Sequence, residues 1–323
     1  MEEYAFGYKP SSEQSEIIAH IVAGKNKGKN IYLNKENTED IEMDKLDLLY
    51  EFLDNYEKYN RISQKRLNKL VQHVKDDEKP DEQEDPQLRK LYDEFQTTIK
   101  KSNEIILKQS ELQPVPLQGE KGQRQILFIA AASGAGKTTF IAQYCKWWNK
   151  LFGKSPIFLF SCKPLEDEEA YKTVKNIKAI NLTEDNLDEI IEEGSYQYFI
   201  SKLGQSLVIF DDFDAVDNKI TKKLDVILNS VLQVGRSSRI YCIVSKHSLN
   251  ASQKTKIIWS EATDIVLYPN GLSRYALTYA MQHYIGFDKF MIDKVLSSKS
   301  RWVQVHNRLP KYLLSQTSLM FLN

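Results

Sequence analysis

Ile126-Leu-Phe-Ile-Ala-Ala-Ala-Ser-Gly-Ala-Gly-Lys-Thr-Thr-Phe140 decides the reading of the fold: an apolar strand runs into a tight loop of small residues and then into the start of a helix. The template of a phosphate-binding loop is a small residue, four spacers and Gly-Lys-Ser/Thr. Ala131 to Thr138 fits it, with Ala131 where Gly is more usual. Small side chains at Ala131, Ala132, Ser133, Gly134, Ala135 and Gly136 let the backbone curl so that successive N–H groups face an anion. A helix beginning near Lys137 adds the positive end of its dipole. Lys137 is expected to reach the β- and γ-phosphates of a nucleotide and Thr138 to ligate Mg²⁺, with Thr139 beside them in the same cradle. A chance small-residue turn is the alternative. It lacks the context present here, a strand before the loop and an amphipathic helix after it carrying Phe140, Ile141, Tyr144, Cys145 and Trp148.

A phosphate loop alone binds nucleotide, whereas hydrolysis also needs a carboxylate for the metal and a group that orients or deprotonates water. Ser206-Leu-Val-Ile-Phe-Asp-Asp-Phe-Asp214 supplies the candidates. Its apolar residues read as a buried strand, Asp211 at the carboxyl end is placed for Mg²⁺, and Asp212 for polarising the attacking water. A plain surface turn is the competing reading of the pair, and Asp214 and Asp217 are expected to be solvated or to meet a neighbouring subunit.

Outward from these two stretches the chain alternates apolar runs with helical patterns, which predicts an α/β fold with a mainly parallel sheet flanked by helices. The runs are 126–130, 157–160, 177–181, 207–210 and 240–244, and most are continuous in hydrophobicity, as strands buried on both faces are. The last leads into Ser245-Lys246-His247. Ligands collect at carboxyl strand ends in such sheets, so Ser245 or His247 is expected either to sense the γ-phosphate or simply to cap the strand. A helix over 219–234 is expected to stop at Gly235, followed by Arg236-Ser-Ser-Arg239. Arg236 and Arg239 suit transition-state charge in a neighbouring active site, a DNA contact, or pairing with an acid. Helical segments near 274–284 and 288–296 and two β-like runs, 302–306 and 312–315, complete this part.

Residues 1–120 read differently: charged, helical in pattern and poor in strand signals, so that a helical N-terminal region is expected before an ATPase domain over 121–323. Ser11–Val22 reads as a short helix start, and Lys25–Lys29 as a basic turn, either solvated or phosphate-contacting. From Ile41 to about Val74 the spacing is helical, and Arg61–Lys75 is basic enough for a nucleic-acid or partner surface, or for an ordinary exposed face. The acidic stretch Asp76–Pro86 is expected to be a mobile loop before a helix over 87–107, giving a helical hairpin. Gln113–Gly122 has the Pro/Gly composition of a linker.

Among the 323 residues, Lys plus Arg and Asp plus Glu both total 44, which excludes a bulk electrostatic attraction to nucleic acid and leaves only local patches. The widely spaced Cys145, Cys162 and Cys242 are expected to be buried reduced thiols, not a disulfide or zinc framework, in an intracellular protein. No apolar run approaches a membrane span, and no signal-peptide pattern opens the chain, so no membrane partner is expected.

Together, Ala131–Thr138, Phe158–Asp167, Leu207–Asp212, Val231–Ser245 and the tail Ser300–Tyr312 resemble the FtsK/HerA superfamily of ring-forming, DNA-translocating P-loop ATPases, in particular the packaging ATPases of large double-stranded DNA viruses related to poxviruses. The resemblance covers about Gln123 to the end of the chain. It implies ATP and Mg²⁺ as cofactors, Lys137 and Thr138 as phosphate and magnesium residues, Asp211 as the metal acid and Asp212 as the water-activating acid. It further implies a homo-oligomeric ring acting on double-stranded DNA, a capsid or portal-vertex protein as partner, and a host cytoplasm or virion as setting. The sequence departs from the family in two ways: Asp212 is one methylene shorter than the frequent Glu, and Ser245-Lys246-His247 stands where cellular members carry a Gln sensor. A nucleotide-binding switch or assembly factor, and a small-molecule kinase, are the other functions compatible with the loop. The Asn-Lys-x-Asp run that specifies GTP is absent.

Overall fold

The computed structural model describes residues 4–35, 45–55, 62–101, 104–107, 110–118, 123–213, 216–249 and 253–322. The expectations for Ile41, Arg61, Asp214 and 119–122 lie outside the described residues.

In chain order the elements are β1 (Ala5–Gly7), β2 (Glu16–Gly24), β3 (Asn30–Asn34), α1 (Lys45–Asn55), α2 (Gln64–Asp76), α3 (Pro86–Lys101), β4 (Glu104–Ile106), β5 (Ser110–Pro114), β6 (Ile126–Ala130), α4 (Lys137–Phe152), β7 (Ile157–Ser161), β8 (Ile177–Ile180), α5 (Glu184–Glu192), β9 (Ser206–Asp211), α6 (Asn218–Val234), β10 (Ile240–Lys246), α7 (Gln253–Glu261), β11 (Asp264–Leu267), α8 (Arg274–Ala280), α9 (Lys289–Ser297), β12 (Val303–His306), β13 (Tyr312–Ser315) and β14 (Ser318–Phe321). A ten-stranded sheet has the order β4-β14-β13-β12-β11-β6-β10-β9-β7-β8. From β11 to β8 all pairings are parallel, and from β12 to β4 they are antiparallel.

The continuous apolar runs are explained by burial on both faces, with successive side chains going to opposite sides. Phe128, Phe160, Phe210, Cys242 and Leu267 face one core, closed by Leu187 of α5, Leu224 and Leu228 of α6 and Trp259 of α7. Leu127, Ile129, Leu159, Ile209 and Ile243 face the other, closed by Phe140, Tyr144 and Trp148 of α4. Each large apolar side chain so buried contributes roughly 1.5–3 kcal/mol. The sheet is therefore a stiff platform with its carboxyl strand ends fixed in place.

The N-terminal region is partly strand, which corrects the helical expectation. β1, β3, β2 and β5 form a four-stranded antiparallel sheet, and the segment expected to start a helix, Ser11–Val22, runs into β2. Ile18, Ile21, Ile31 and Leu33 of this sheet pack into the same core as α4. The expected linker begins as strand: Gln113 and Pro114 end β5, and Val115 is buried. Among the described residues three helices, not a hairpin of two, are inserted between β3 and β4, sharing Leu49, Leu70, Leu91 and Phe95 as a core of their own. The last of them ends at Lys101, because β4 leaves to pair with β14. In the acidic stretch, Asp85 accepts from Leu88 N–H and pairs with Arg66 at 2.9 Å, which ties the break to α2 and neutralises one half-buried cation of the basic face.

Asp217 is exposed, as expected, and also serves as the N-cap of α6, its carboxylate accepting from the N–H groups of Lys219 and Ile220 at 2.8 and 3.0 Å. One smaller correction concerns the cysteines. Cys145 and Cys242 are buried, burial pushing the Cys242 thiol up to about 12, but Cys162 is exposed. Among the described residues no helix is long and apolar enough to cross a membrane.

Candidate active site

The carboxyl ends of three neighbouring parallel strands, β6, β10 and β9, converge on one place. β6 delivers the loop Ala131–Gly136 and the start of α4. Its tight course requires left-handed backbone at Gly134 and Gly136, with φ of 76° and 101°, which side-chain-bearing residues rarely adopt. The loop is held from outside by Ala131 N–H donating to Lys246 O at 3.1 Å and Ala132 N–H donating to Gly271 O at 2.8 Å. The first N–H groups of α4 have no acceptor within the helix, as at any helix start, and they open toward the loop. Ser133 and Thr139 are exposed and Thr138 is half-buried.

Lys137 is buried, its ammonium curled back over the loop. It donates to the carbonyls of Ala131 and Ala132 at 2.9 and 3.4 Å and lies 3.6 Å from Asp212 Oδ1. Nδ1 of His247 is 3.1 Å from the same ammonium. An ammonium can only donate, so Nδ1 accepts and the ring proton of a neutral imidazole is on Nε2. That nitrogen faces Asp212 Oδ1 at 3.0 Å, close but outside hydrogen-bond geometry, and Asp212 Oδ1 is buried with no hydrogen-bond partner. Asp212 reaches this position from a left-handed backbone, φ 48°, which Asp and Asn tolerate better than other side-chain-bearing residues.

Asp211, the last residue of β9, is buried, and each of its carboxylate oxygens accepts one hydrogen bond. Oδ1 accepts from the Ser245 hydroxyl at 2.5 Å and Oδ2 from the Tyr171 hydroxyl at 2.8 Å. Burial raises its carboxyl above the ordinary value, against the lowering effect of Ser245, Tyr171 and Lys137 and with the further raising effect of Asp212. Each oxygen accepts one bond and keeps a second lone pair, so the carboxylate retains the donor capacity that a Mg²⁺ ligand needs. No group of three or more His, Cys, Asp or Glu side chains gathers into a metal site among the described residues.

The chain thus brings together Ala131–Thr139, Asp211, Asp212, Ser245 and His247. It does not bring Arg236 and Arg239 to them. Both precede β10, whose far end carries Lys246, so they lie roughly 20 Å away at the amino edge of the sheet. Arg124 shapes their turn, donating to the carbonyls of Val231 at 2.6 Å, Ile240 at 2.9 Å and Leu232. Two contacts were not legible in the motifs. Tyr171 comes from the loop after β7, and Tyr268, beyond β11, donates to Gly136 O at 3.3 Å. No local pattern marks either residue.

No protein-family model matches the chain. Uncharacterized protein V3 of Sputnik virophage is 30% identical over 217 residues, 66% of this chain and 82% of that protein. Among solved structures, the chain is similar to B204, the DNA-packaging ATPase of Sulfolobus turreted icosahedral virus, with a TM-score of 0.42 and 16% identity over 61% of this chain and 96% of that one. It is likewise similar to the genome packaging NTPase B204 of Sulfolobus turreted icosahedral virus 2 in complex with ATP-gammaS, with a TM-score of 0.41 and 14% identity over 61% and 96%. The assignment of the fold rests on the strand order and the loop geometry given above.

Proposed function

We propose that this chain, which belongs to the family that includes protein V3 of Sputnik virophage, is an Mg·ATP-hydrolysing motor that moves double-stranded DNA, in the service of viral genome packaging. The observation that carries the hydrolytic part is the buried, hydrogen-bond-free Oδ1 of Asp212, set 3.0 Å from His247 and 3.6 Å from the Lys137 ammonium. A carboxylate oxygen that makes no hydrogen bond, at the end of a core strand beside the phosphate loop, suits the proton of an attacking water.

In this reading Lys137 exchanges the Ala131 carbonyl for phosphate oxygens when nucleotide enters. The N–H groups of the loop and of the α4 start complete the cradle. Thr138 and Asp211 would hold Mg²⁺, which supplies charge neutralisation to the phosphates when bound. Asp212 orients water and takes its proton, and His247 keeps Asp212 and Lys137 apart at their working distances. Arg236 and Arg239 cannot serve their own site from the opposite sheet edge, so their proposed role is in the site of a neighbouring copy, which requires a ring. Residues 121–323 would carry the ATPase and 1–120 adapt it to its partners, with a capsid or portal-vertex protein the partner proposed. The resemblance of the motif stretches to packaging ATPases supports DNA as the substrate, and the virophage relative supports a viral setting.

The test is phosphate release by the full chain with and without duplex DNA, read alongside mass from light scattering. ATPase activity stimulated by duplex DNA in a nucleotide-dependent oligomer is expected. An active monomer indifferent to DNA contradicts the motor reading, and a chain that binds ATP without turning it over favours a switch.

A further inference from the structure

Arg301 stands at the phosphate loop from the tail stretch Ser300–Tyr312, to whose residues no role in the site has been given. It precedes β12, which runs antiparallel to β11 with Val303 opposite Leu267, while Leu267 is opposite Ala130 of β6. The start of β12 therefore lies at the sheet edge that carries the phosphate loop. There the Arg301 side chain meets Gly136: an atom at the Cβ position of Gly136 would lie 3.6 Å from both Cδ and Nη1.

The backbone that presents this arginine is anchored on both sides. Its N–H donates to Gln316 Oε1 at 2.6 Å, and Gln316 Nε2 donates in turn to Glu111 of β5 at 2.9 Å. The next residue, Trp302, is buried edge-on against Phe140 in the first turn of α4, with ring centroids 5.4 Å apart. Among the described residues the guanidinium itself has no hydrogen bond or ion pair. A permanently charged planar fork, held on a fixed backbone beside an anion cradle with its donors unspent, is built for an anion.

Resting on the phosphate-site reading above, we infer that Arg301 is a ligand in cis of the bound nucleotide's phosphates. β6 is flanked by β10 on one side and β11 on the other. Lys137 and His247 work from the β10 side, and Arg301 grips the polyphosphate from the β11 side. The loop then carries two cations in one chain, before any residue of a neighbour arrives. The link through Gln316 to Glu111 joins this ligand to the N-terminal sheet.

The test is titration of the full chain with Mg·ATPγS and, as a base-free probe, with tripolyphosphate, comparing wild type, Arg301→Ala and Arg301→Lys. The expected result is that Arg301→Ala weakens both ligands about ten-fold and Arg301→Lys weakens them less. Melting temperature without ligand should be unchanged, since the side chain is exposed. Unchanged affinity in Arg301→Ala, with wild type binding normally, overturns the role of Arg301 alone. Loss for ATPγS but not for tripolyphosphate places the guanidinium on the base or ribose and also overturns it. A wild-type chain that binds neither ligand overturns the phosphate site and Arg301 together.

Discussion

The Lys137 ammonium donates a 2.9 Å hydrogen bond to the carbonyl of Ala131, six residues earlier in its own loop. A buried cation needs compensation, and here backbone carbonyls and Asp212 provide it. The contact also keeps the amine pointed into the cradle formed by the loop. Lys137→Ala should therefore lose nucleotide binding and reduce turnover by on the order of 10²-fold or more, with the fold retained. Calorimetric titration with Mg·ATP and a phosphate-release assay check this; binding within a few-fold of wild type would contradict it.

Asp211 gives a stability prediction of opposite sign to its functional one. Burial, the largest effect, raises its carboxyl above the ordinary value. The folded state then holds the proton more tightly than the unfolded state does, so stability falls as pH rises from the unfolded value through the raised folded one. At neutral pH the ionised carboxylate costs stability. Asp211→Asn should melt at a higher temperature than wild type at pH 7, lose that advantage as the pH falls into the ordinary carboxylate range, and lose Mg-dependent turnover. A lower melting temperature for Asp211→Asn at pH 7 would contradict this account of the site.

Gly235 ends α6 where there is no room for a side chain. A Cβ there would lie 2.5 Å from Nη1 of Arg124 and 2.6 Å from the carbonyl oxygen of Val231. Gly235→Ala must displace the half-buried guanidinium that caps the helix, at a cost of about 1–3 kcal/mol. Urea denaturation measures this, and a change below about 0.5 kcal/mol, the range of ordinary surface substitutions, would show that the turn has slack.

The remote position of Arg236 and Arg239 predicts complementation between subunits. Arg236→Ala/Arg239→Ala and Lys137→Ala should each fall by about 10²-fold or more as pure proteins. Mixed together, they should recover activity, because an intact loop from the first can meet intact arginines from the second. Mixtures that stay at the level of the separate variants would count against a site completed by a neighbour.

What the sequence made legible follows from physics that acts locally. Ile126–Ala130 is buried on both faces, so its hydrophobicity is continuous, and the loop after it needs small residues at fixed spacing. β2 misled for an equally local reason. Its register shifts between Ile17 and Ala19 and again between Ile21 and Ala23. These irregularities break the alternation of a strand and leave Ile18 and Ile21 buried three apart, the spacing of a helix. The hidden parts of the site depend instead on distant pairing. Arg301 reaches Gly136 only because β12 reverses direction beside β11, and Tyr171 reaches Asp211 only because β7 and β9 are neighbours. The turn at Gly235 was readable, but its position at the far edge of the sheet from the loop was not, since strand order is not written in any one segment.

The central claim is that Asp212, and not the loop alone, makes this a hydrolytic site. Single-turnover hydrolysis of Mg·ATP by wild type and Asp212→Asn, with binding measured in parallel, tests it most directly. Asn fits the left-handed backbone at this position and keeps the size of the side chain while removing the acceptor carboxylate. The account predicts that Asp212→Asn binds ATP within about three-fold of wild type and hydrolyses it about 10²-fold more slowly, or less; hydrolysis at the wild-type rate would contradict it.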